Sequence, residues 1–122
     1  MLTPLEVAKI AVRALDAKKA EDIKLLETKD LTVLAEYFII CTAMSTTHIK
    51  TLSDEVQKIL EENGEKTLRT EGLRSGGWIL VDFGCVVVHL FLKDIRGFYS
   101  LERLWVDAAT LDVDAILQEN DK

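Results

Sequence analysis

Two β-favouring runs separated by two residues constrain the fold of this chain more than any other feature. Residues 78–83 and 86–92 are rich in aromatic and β-branched side chains, and Gly84 is the first of the two residues between them. A two-residue connection with glycine first is typical of a hairpin closed by a type II′ turn. The turn also fixes the register, because Phe83 must then pair with Val86. The sequence therefore predicts an antiparallel hairpin.

This register gives the hairpin two unlike sides. One side is entirely apolar and is expected to face the core. It holds Ile79, Val81, Val88 and Leu90. The other side, which we call the hairpin face, holds Trp78, Leu80, Asp82, Val87, His89 and Phe91. Aromatic rings beside an acid and an imidazole are more typical of an interface than of a solvated sheet face. Either another part of the chain covers the hairpin face, or part of it stays open to a partner.

Helical and extended segments alternate along the rest of the chain. Residues 3–6 form a capping box with proline at the first helical position, which predicts a helix to about Lys18. Residues 22–28 and 37–42 favour strands, and the second is an unbroken apolar run typical of a central strand.

A second helix is predicted after the central strand. One of the hydroxyl residues 45–47 can cap its N-terminus, and Asn63-Gly64 ends it with glycine as the C-cap. Residues 66–70 alternate weakly and suit an edge strand. These units predict a single domain of the α/β (α+β) class, with a mixed β-sheet flanked by helices.

Composition agrees with one domain and indicates which compartment and which partners to expect. The chain has 122 residues, 48% of them hydrophobic. No signal peptide or run of ~18 apolar residues is present, so we expect a cytoplasmic protein without membrane contact. The formal net charge of −6 disfavours general nucleic-acid binding, because phosphate contacts need lysine and arginine.

Few residues indicate catalysis or metal binding. The only histidines are His48 and His89, and neither stands in a metal-binding spacing. Cys85 and His89 could form a nucleophile–base pair, but no third group or oxyanion donor is evident. The N–H groups of the helix opening at Ser45 and His48 need caps, and could instead hold a phosphate. We expect no metal, no cofactor and no enzymatic activity.

Large side chains are concentrated just downstream of the hairpin. They are Arg96, Phe98, Tyr99, Leu101, Glu102, Leu104 and Trp105. Side chains of this kind dominate binding energy at interfaces, yet Leu101, Leu104 and Trp105 share a helical face that could pack against the sheet instead. Residues 108–122 form an acidic tail that could contain a short helix.

Six short motifs occur in order between residues 36 and 105. They are Glu36-Tyr37-Phe38-Ile39-Ile40, Ser45-x-x-His48, Glu71-Gly72, Trp78-x-x-x-Asp82, Val87-Val88-His89-Leu90-Phe91 and Arg96-x-x-Tyr99-x-Leu101-Glu102-x-Leu104-Trp105. Together they resemble the ribosomal silencing factor family, also called Iojap or RsfS. The resemblance covers roughly residues 5–107 and implies a domain of residues 1–107 followed by the acidic tail, residues 108–122.

The resemblance implies a fold similar to the nucleotidyltransferase fold, without catalysis. It also implies a protein that binds ribosomal protein fourteen of the large subunit, blocks joining of the small subunit and represses translation, with little direct RNA contact. Away from the ribosome, the same face could join two copies as a homodimer. The residues that the resemblance places in the partner contact are Glu71, Gly72, Trp78, Asp82, His89, Phe91, Arg96, Tyr99, Leu101, Glu102, Leu104 and Trp105.

Three positions depart from the family pattern. Glu36 stands where the family usually has aspartate, Ala43 where it has glycine, and Cys85 where an aspartate follows the hairpin glycine. Ala43 makes a close phosphate approach less favourable, and Cys85 removes an acid from the turn.

Overall fold

The protein folds into a single mixed sheet with helices packed against it. The computed structural model describes residues 2–28, 35–72, 77–93 and 109–119. The helices in these ranges are α1 (Pro4–Ala17), α2 (Thr46–Glu62) and α3 (Val113–Gln118). The strands are β1 (Glu21–Glu27), β2 (Tyr37–Ala43), β3 (Arg69–Glu71), β4 (Trp78–Asp82), β5 (Val86–Leu92) and β6 (Ala109–Leu111). The predicted α/β class is confirmed.

The strand order is β3-β4-β5-β2-β1-β6. The β2–β5 pair is parallel and the other pairs are antiparallel, so the sheet is mixed as predicted. The apolar run of residues 37–43 is the central β2, which β5 and β1 border on its two sides. Of residues 66–70, only the last two join the edge strand β3, which begins at Arg69.

The hairpin register follows from its turn, as predicted. Ile79 pairs with Leu90 and Val81 pairs with Val88. Gly84 has a φ of +92°, in the left-handed region that glycine adopts without strain, whereas Cys85 is not among the residues with positive φ. This combination excludes a type I′ turn, which needs positive φ at both positions, and fits the predicted type II′ turn.

The core lies between the apolar side of the sheet and helices α1 and α2. It includes Leu15, Ile39, Leu52, Ile79 and Leu90, all fully buried. Each such side chain contributes roughly 1.5–3 kcal/mol to folding. The predicted caps are present, because the Thr3 and Glu6 side chains bond each other's backbone N–H groups. Among the described residues, no helix is both long and apolar enough to cross a membrane.

The C-terminal segment of the described chain joins this domain. Strand β6 pairs with β1, and Ile116 of α3 is buried in the same core. The Glu119 carboxylate accepts bonds from Lys9 Nζ at 3.1 Å and Arg13 Nη2 at 2.7 Å. The short helix was anticipated from the sequence and the three-residue strand was not. The proposed boundary between residues 107 and 108 stays a prediction.

Candidate partner-binding face

The hairpin face is the sheet surface opposite the helical core. Cross-strand pairing sets Trp78 beside Phe91 and Leu80 beside His89. The parallel neighbour β2 adds Phe38, which pairs with Val87 next to the imidazole. Ring centroids are 5.0 Å apart for Phe38–His89, 5.9 Å for Trp78–His89 and 5.6 Å for Trp78–Phe91. The aromatic residues that the sequence placed on one face therefore form one continuous ring cluster.

Exposure divides the hairpin face into a buried row and an accessible row. On β5, Phe91 is 0% exposed and His89 is 5% exposed. On β4, Trp78, Leu80 and Asp82 are half-buried. The β5 row is therefore buried and the β4 row partly exposed, and a partner contact through the β4 row stays a prediction. The β4 side chains are partly accessible to solvent, whereas Phe91 and His89 are packed beside them and buried.

His89 is held as a neutral ring beneath the surface. Trp78 donates from Nε1 to His89 Nδ1 at 3.3 Å, so the ring proton must lie on Nε2. Nε2 is buried and has no hydrogen-bond partner among the described residues. Desolvation by burial lowers the pKa of His89 to about 4, which keeps the ring uncharged at neutral pH.

Charged side chains border the β4 row at the sheet edge. Arg69, across from Asp82 in the β3–β4 register, donates from Nε to Asp82 Oδ2 at 3.2 Å and from Nη1 to Glu71 Oε2 at 2.6 Å. Asp82 Oδ1 also accepts from the Gly84 N–H at 2.8 Å. Both Asp82 oxygens are therefore used inside the chain, whereas Glu71 is exposed. The sequence alone did not place Arg69 at this face, because the weak alternation of residues 66–70 predicts an edge strand but not which residue Arg69 pairs with.

Gly72 leads from β3 towards β4 at a close backbone approach. Its φ is +85°, and a Cβ at this position would collide with the Trp78 carbonyl oxygen. Glycine is needed here both for the left-handed backbone and for the space. Gly72 thus acts through its backbone, by letting the chain reach the start of β4.

The alternative chemistry considered at the Ser45 helix opening is not favoured by the geometry. The Ser45 hydroxyl accepts from the His48 N–H at 3.0 Å, and His48 Nδ1 accepts from the Met44 N–H at 2.9 Å. His48 Nε2 lies 2.8 Å from the Lys18 carbonyl oxygen, to which it donates. These groups cap α2 and tie it to the end of α1, so they are not free to hold a phosphate.

Nor does the hairpin turn offer an activated nucleophile or a metal site. Burial, followed by the charge of Glu65, raises the pKa of the Cys85 thiol, so the reactive thiolate is disfavoured. Within the described ranges, no three histidine, cysteine or carboxylate side chains converge where they could hold a metal ion. A cleft of about 410 Å³ lies between α1, β1 and α3, away from the hairpin face.

Known proteins similar to this chain share one family. The family described as "Ribosomal silencing factor during starvation" matches residues 2–122. The chain belongs to this family. The ribosomal silencing factor RsfS of Bacillus subtilis is 42% identical over 108 residues, which are 88% of this chain and 92% of that protein. The RsfS of Halalkalibacterium halodurans is 38% identical over 112 residues, which are 92% of this chain and 96% of that protein.

A solved structure from the same comparisons supports the fold. A crystal structure of a Chromobacterium violaceum protein aligns with a TM-score of 0.83 at 40% identity, covering 86% of this chain and 88% of that one. The family resemblance drawn from the six motifs is therefore confirmed. Half of the residues assigned to the partner contact lie outside the described residues. They are Arg96, Tyr99, Leu101, Glu102, Leu104 and Trp105.

The backbone of Cys85 connects the hairpin turn to the central strand. The Cys85 carbonyl oxygen accepts from the N–H groups of Glu36 at 2.9 Å and Tyr37 at 3.2 Å. The turn is thus bonded to the start of β2 through backbone atoms. The side chain at position 85 is not required for this contact.

Proposed function

We propose that this member of the ribosomal silencing factor family binds the large ribosomal subunit through ribosomal protein fourteen. By occupying that surface it prevents the small subunit from joining, and translation is repressed without any enzymatic step. Family membership supports the ribosomal role. The observation that supports the contact site is the half-exposed row of Trp78 and Leu80 beside a buried row that contains His89 and Phe91. An aromatic anchor with a rigid base is typical of interface hot spots.

Charge supports a basic protein partner more than RNA. The chain carries a formal net charge of −6, which favours encounter with a basic surface and disfavours phosphate backbones. Glu71 is exposed beside Leu80, with which it pairs across the strands. Its pairing with Arg69 is exposed on both sides, with relative side-chain exposures of 60% and 55%, and holds it only weakly. Glu71 can therefore turn to a cationic partner at small cost.

The decisive experiment follows subunit joining by sedimentation. Purified large subunits are incubated with the protein, small subunits are added, and the fraction of joined ribosomes is measured. We expect saturating protein to reduce joining. Unchanged joining would refute the proposed block.

Single substitutions test whether the β4 row makes the contact. Trp78→Ala and Leu80→Ala should weaken binding to large subunits by on the order of 2 kcal/mol or more for a hot-spot anchor, roughly thirtyfold in affinity. Met44→Ala is a matched control, since Met44 is an exposed apolar side chain, 54% exposed, at the end of β2. Circular dichroism must show that each variant folds. Equal losses in all three variants would argue against the hairpin face.

The remaining predicted contacts and the homodimer extend this proposal. Tyr99 and Leu104 are tested by the same alanine substitutions in the large-subunit binding assay.

If two copies join through the hairpin face, added ribosomal protein fourteen should convert dimers to a one-to-one complex in sedimentation velocity. A complex that retains two copies of the silencing factor would show that the two surfaces differ.

A further inference from the structure

His89 is a costly residue for the position that it occupies. It is 5% exposed, packed between β2 and β4, and its Nε2 has no hydrogen-bond partner among the described residues. A buried N–H without an acceptor reduces stability, whereas phenylalanine would fill similar space without that penalty. Packing alone thus does not account for an imidazole here.

What the imidazole provides, and phenylalanine cannot, is an acceptor for the Trp78 indole. The Nε1–Nδ1 distance of 3.3 Å joins the half-exposed indole to the buried ring. The same two rings stack with an interplanar angle of 20°. The imidazole also contacts the rings of Phe38 and Phe91, and these contacts fix its own orientation.

We propose that His89 is a positioning residue, whose neutral imidazole sets the orientation in which Trp78 is presented to the partner. The consequence for binding rests on the proposed function. The orientation of the indole does not rest on the proposed function, because it is a property of the free protein. An indole held by a hydrogen bond and a stack loses less rotational freedom when a partner binds, and so binds more tightly. Trp78 is the contact and His89 acts through it.

The orientation is tested first in the free protein by nuclear magnetic resonance. Imidazole nitrogen shifts of the wild type should show the proton on Nε2 of His89 at neutral pH. A proton on Nδ1 would overturn the proposal, because Nδ1 could not then accept from Trp78. This measurement needs no variant, so a variant that fails to fold cannot obscure it.

Variants at position 89 then separate the acceptor from the ring. His89→Phe keeps a stacking ring without an acceptor, and His89→Asn keeps an acceptor near the Nδ1 position without the ring. Hydrogen exchange at the Trp78 indole N–H should become about tenfold faster in His89→Phe, the change expected on losing one hydrogen bond, and should be partly restored in His89→Asn. The chain has two tryptophans, and a Trp105→Phe background assigns the signal. Equal exchange in His89→Phe and wild type would overturn the proposal.

A double-mutant cycle tests the consequence for the ribosome. Trp78→Phe removes the indole N–H, so His89→Phe should lower large-subunit affinity several-fold in the wild type but add little in Trp78→Phe. Additive losses would overturn the coupling. If Trp78→Ala and His89→Phe both bind as wild type does, Trp78 is not a contact and the proposed site fails. The tautomer and exchange measurements still decide the orientation in that case.

Discussion

Gly72 and the backbone of Trp78 are in such close approach that a single added carbon on Gly72 would overlap the Trp78 carbonyl oxygen. Gly72 follows the edge strand β3, and Trp78 begins β4. The position of the accessible tryptophan thus depends on a residue without a side chain. Gly72 thus has a structural requirement that does not depend on the predicted partner contact.

Gly72→Ala should destabilise the fold by about 3 kcal/mol or more, since it adds overlap with backbone to the cost of a left-handed φ. Gly64→Ala is the matched control. Gly64 has a φ of +90°, yet nothing lies within 4 Å of its added Cβ. The Gly64→Ala variant should therefore lose only about 1 kcal/mol of unfolding free energy, which is the cost of the left-handed φ without any overlap. Urea denaturation measures both, and equal losses would show that Gly72 is needed only for its φ.

Stability should fall as the pH falls from 7 to 4 because His89 is buried in its neutral form. Its pKa is lowered from 6.5 to about 4, so between these values the unfolded chain binds a proton that the folded chain does not. Stabilisation by the neutral ring is complete above pH 6.5 and is lost as the pH approaches 4. The expected loss in unfolding free energy is on the order of 3 kcal/mol.

The His89→Phe variant identifies the source of this pH dependence. Phenylalanine cannot take up a proton, so the part of the slope between pH 4 and 6.5 that comes from position 89 should disappear. Urea denaturation of both proteins at several pH values gives the comparison. Parallel curves would mean that other groups account for the dependence.

Asp82 and Glu71 should respond differently to substitution although both are acids of the predicted contact. Asp82→Ala removes the acceptor of the Gly84 N–H and of Arg69 Nε, and should cost about 1–2 kcal/mol of stability. Glu71→Gln should change stability by less than about 0.5 kcal/mol, since its ion pair is exposed. In binding to large subunits, Glu71→Gln should slow association and leave dissociation nearly unchanged. A destabilised Glu71→Gln would contradict this division of roles.

The sequence predicted the hairpin, its register and the residues of its face, because all three follow from turn preferences and strand alternation. Turn chemistry at Gly84 set the pairing, and strand alternation then placed Trp78 and His89 on the same side. Central strand β2 could be predicted equally well from the sequence, because an apolar run of that length suits a strand buried on both faces.

Exposure within the face could not be read from the sequence, because it depends on which parts of the chain meet. Phe91 and Trp78 are both aromatic and lie opposite each other, yet one is buried and the other half-buried. Arg69 was missed for a similar reason. Its pairing with Asp82 follows from the β3–β4 register, which no turn signal in residues 72–77 specifies.

The last prediction concerns residues 109–119, which the sequence assigned to an acidic tail. Ile116 is 4% exposed and packs in the main core, so Ile116→Ala should cost about 2–4 kcal/mol through lost burial and a cavity. Gln118→Ala, on the exposed side of the same helix, is the matched control and should be near neutral. Urea denaturation measures both, and removal of residues 108–122 should destabilise at least as much as Ile116→Ala. If the truncated chain is as stable as the full chain, the segment is a separable tail and the domain ends near residue 107.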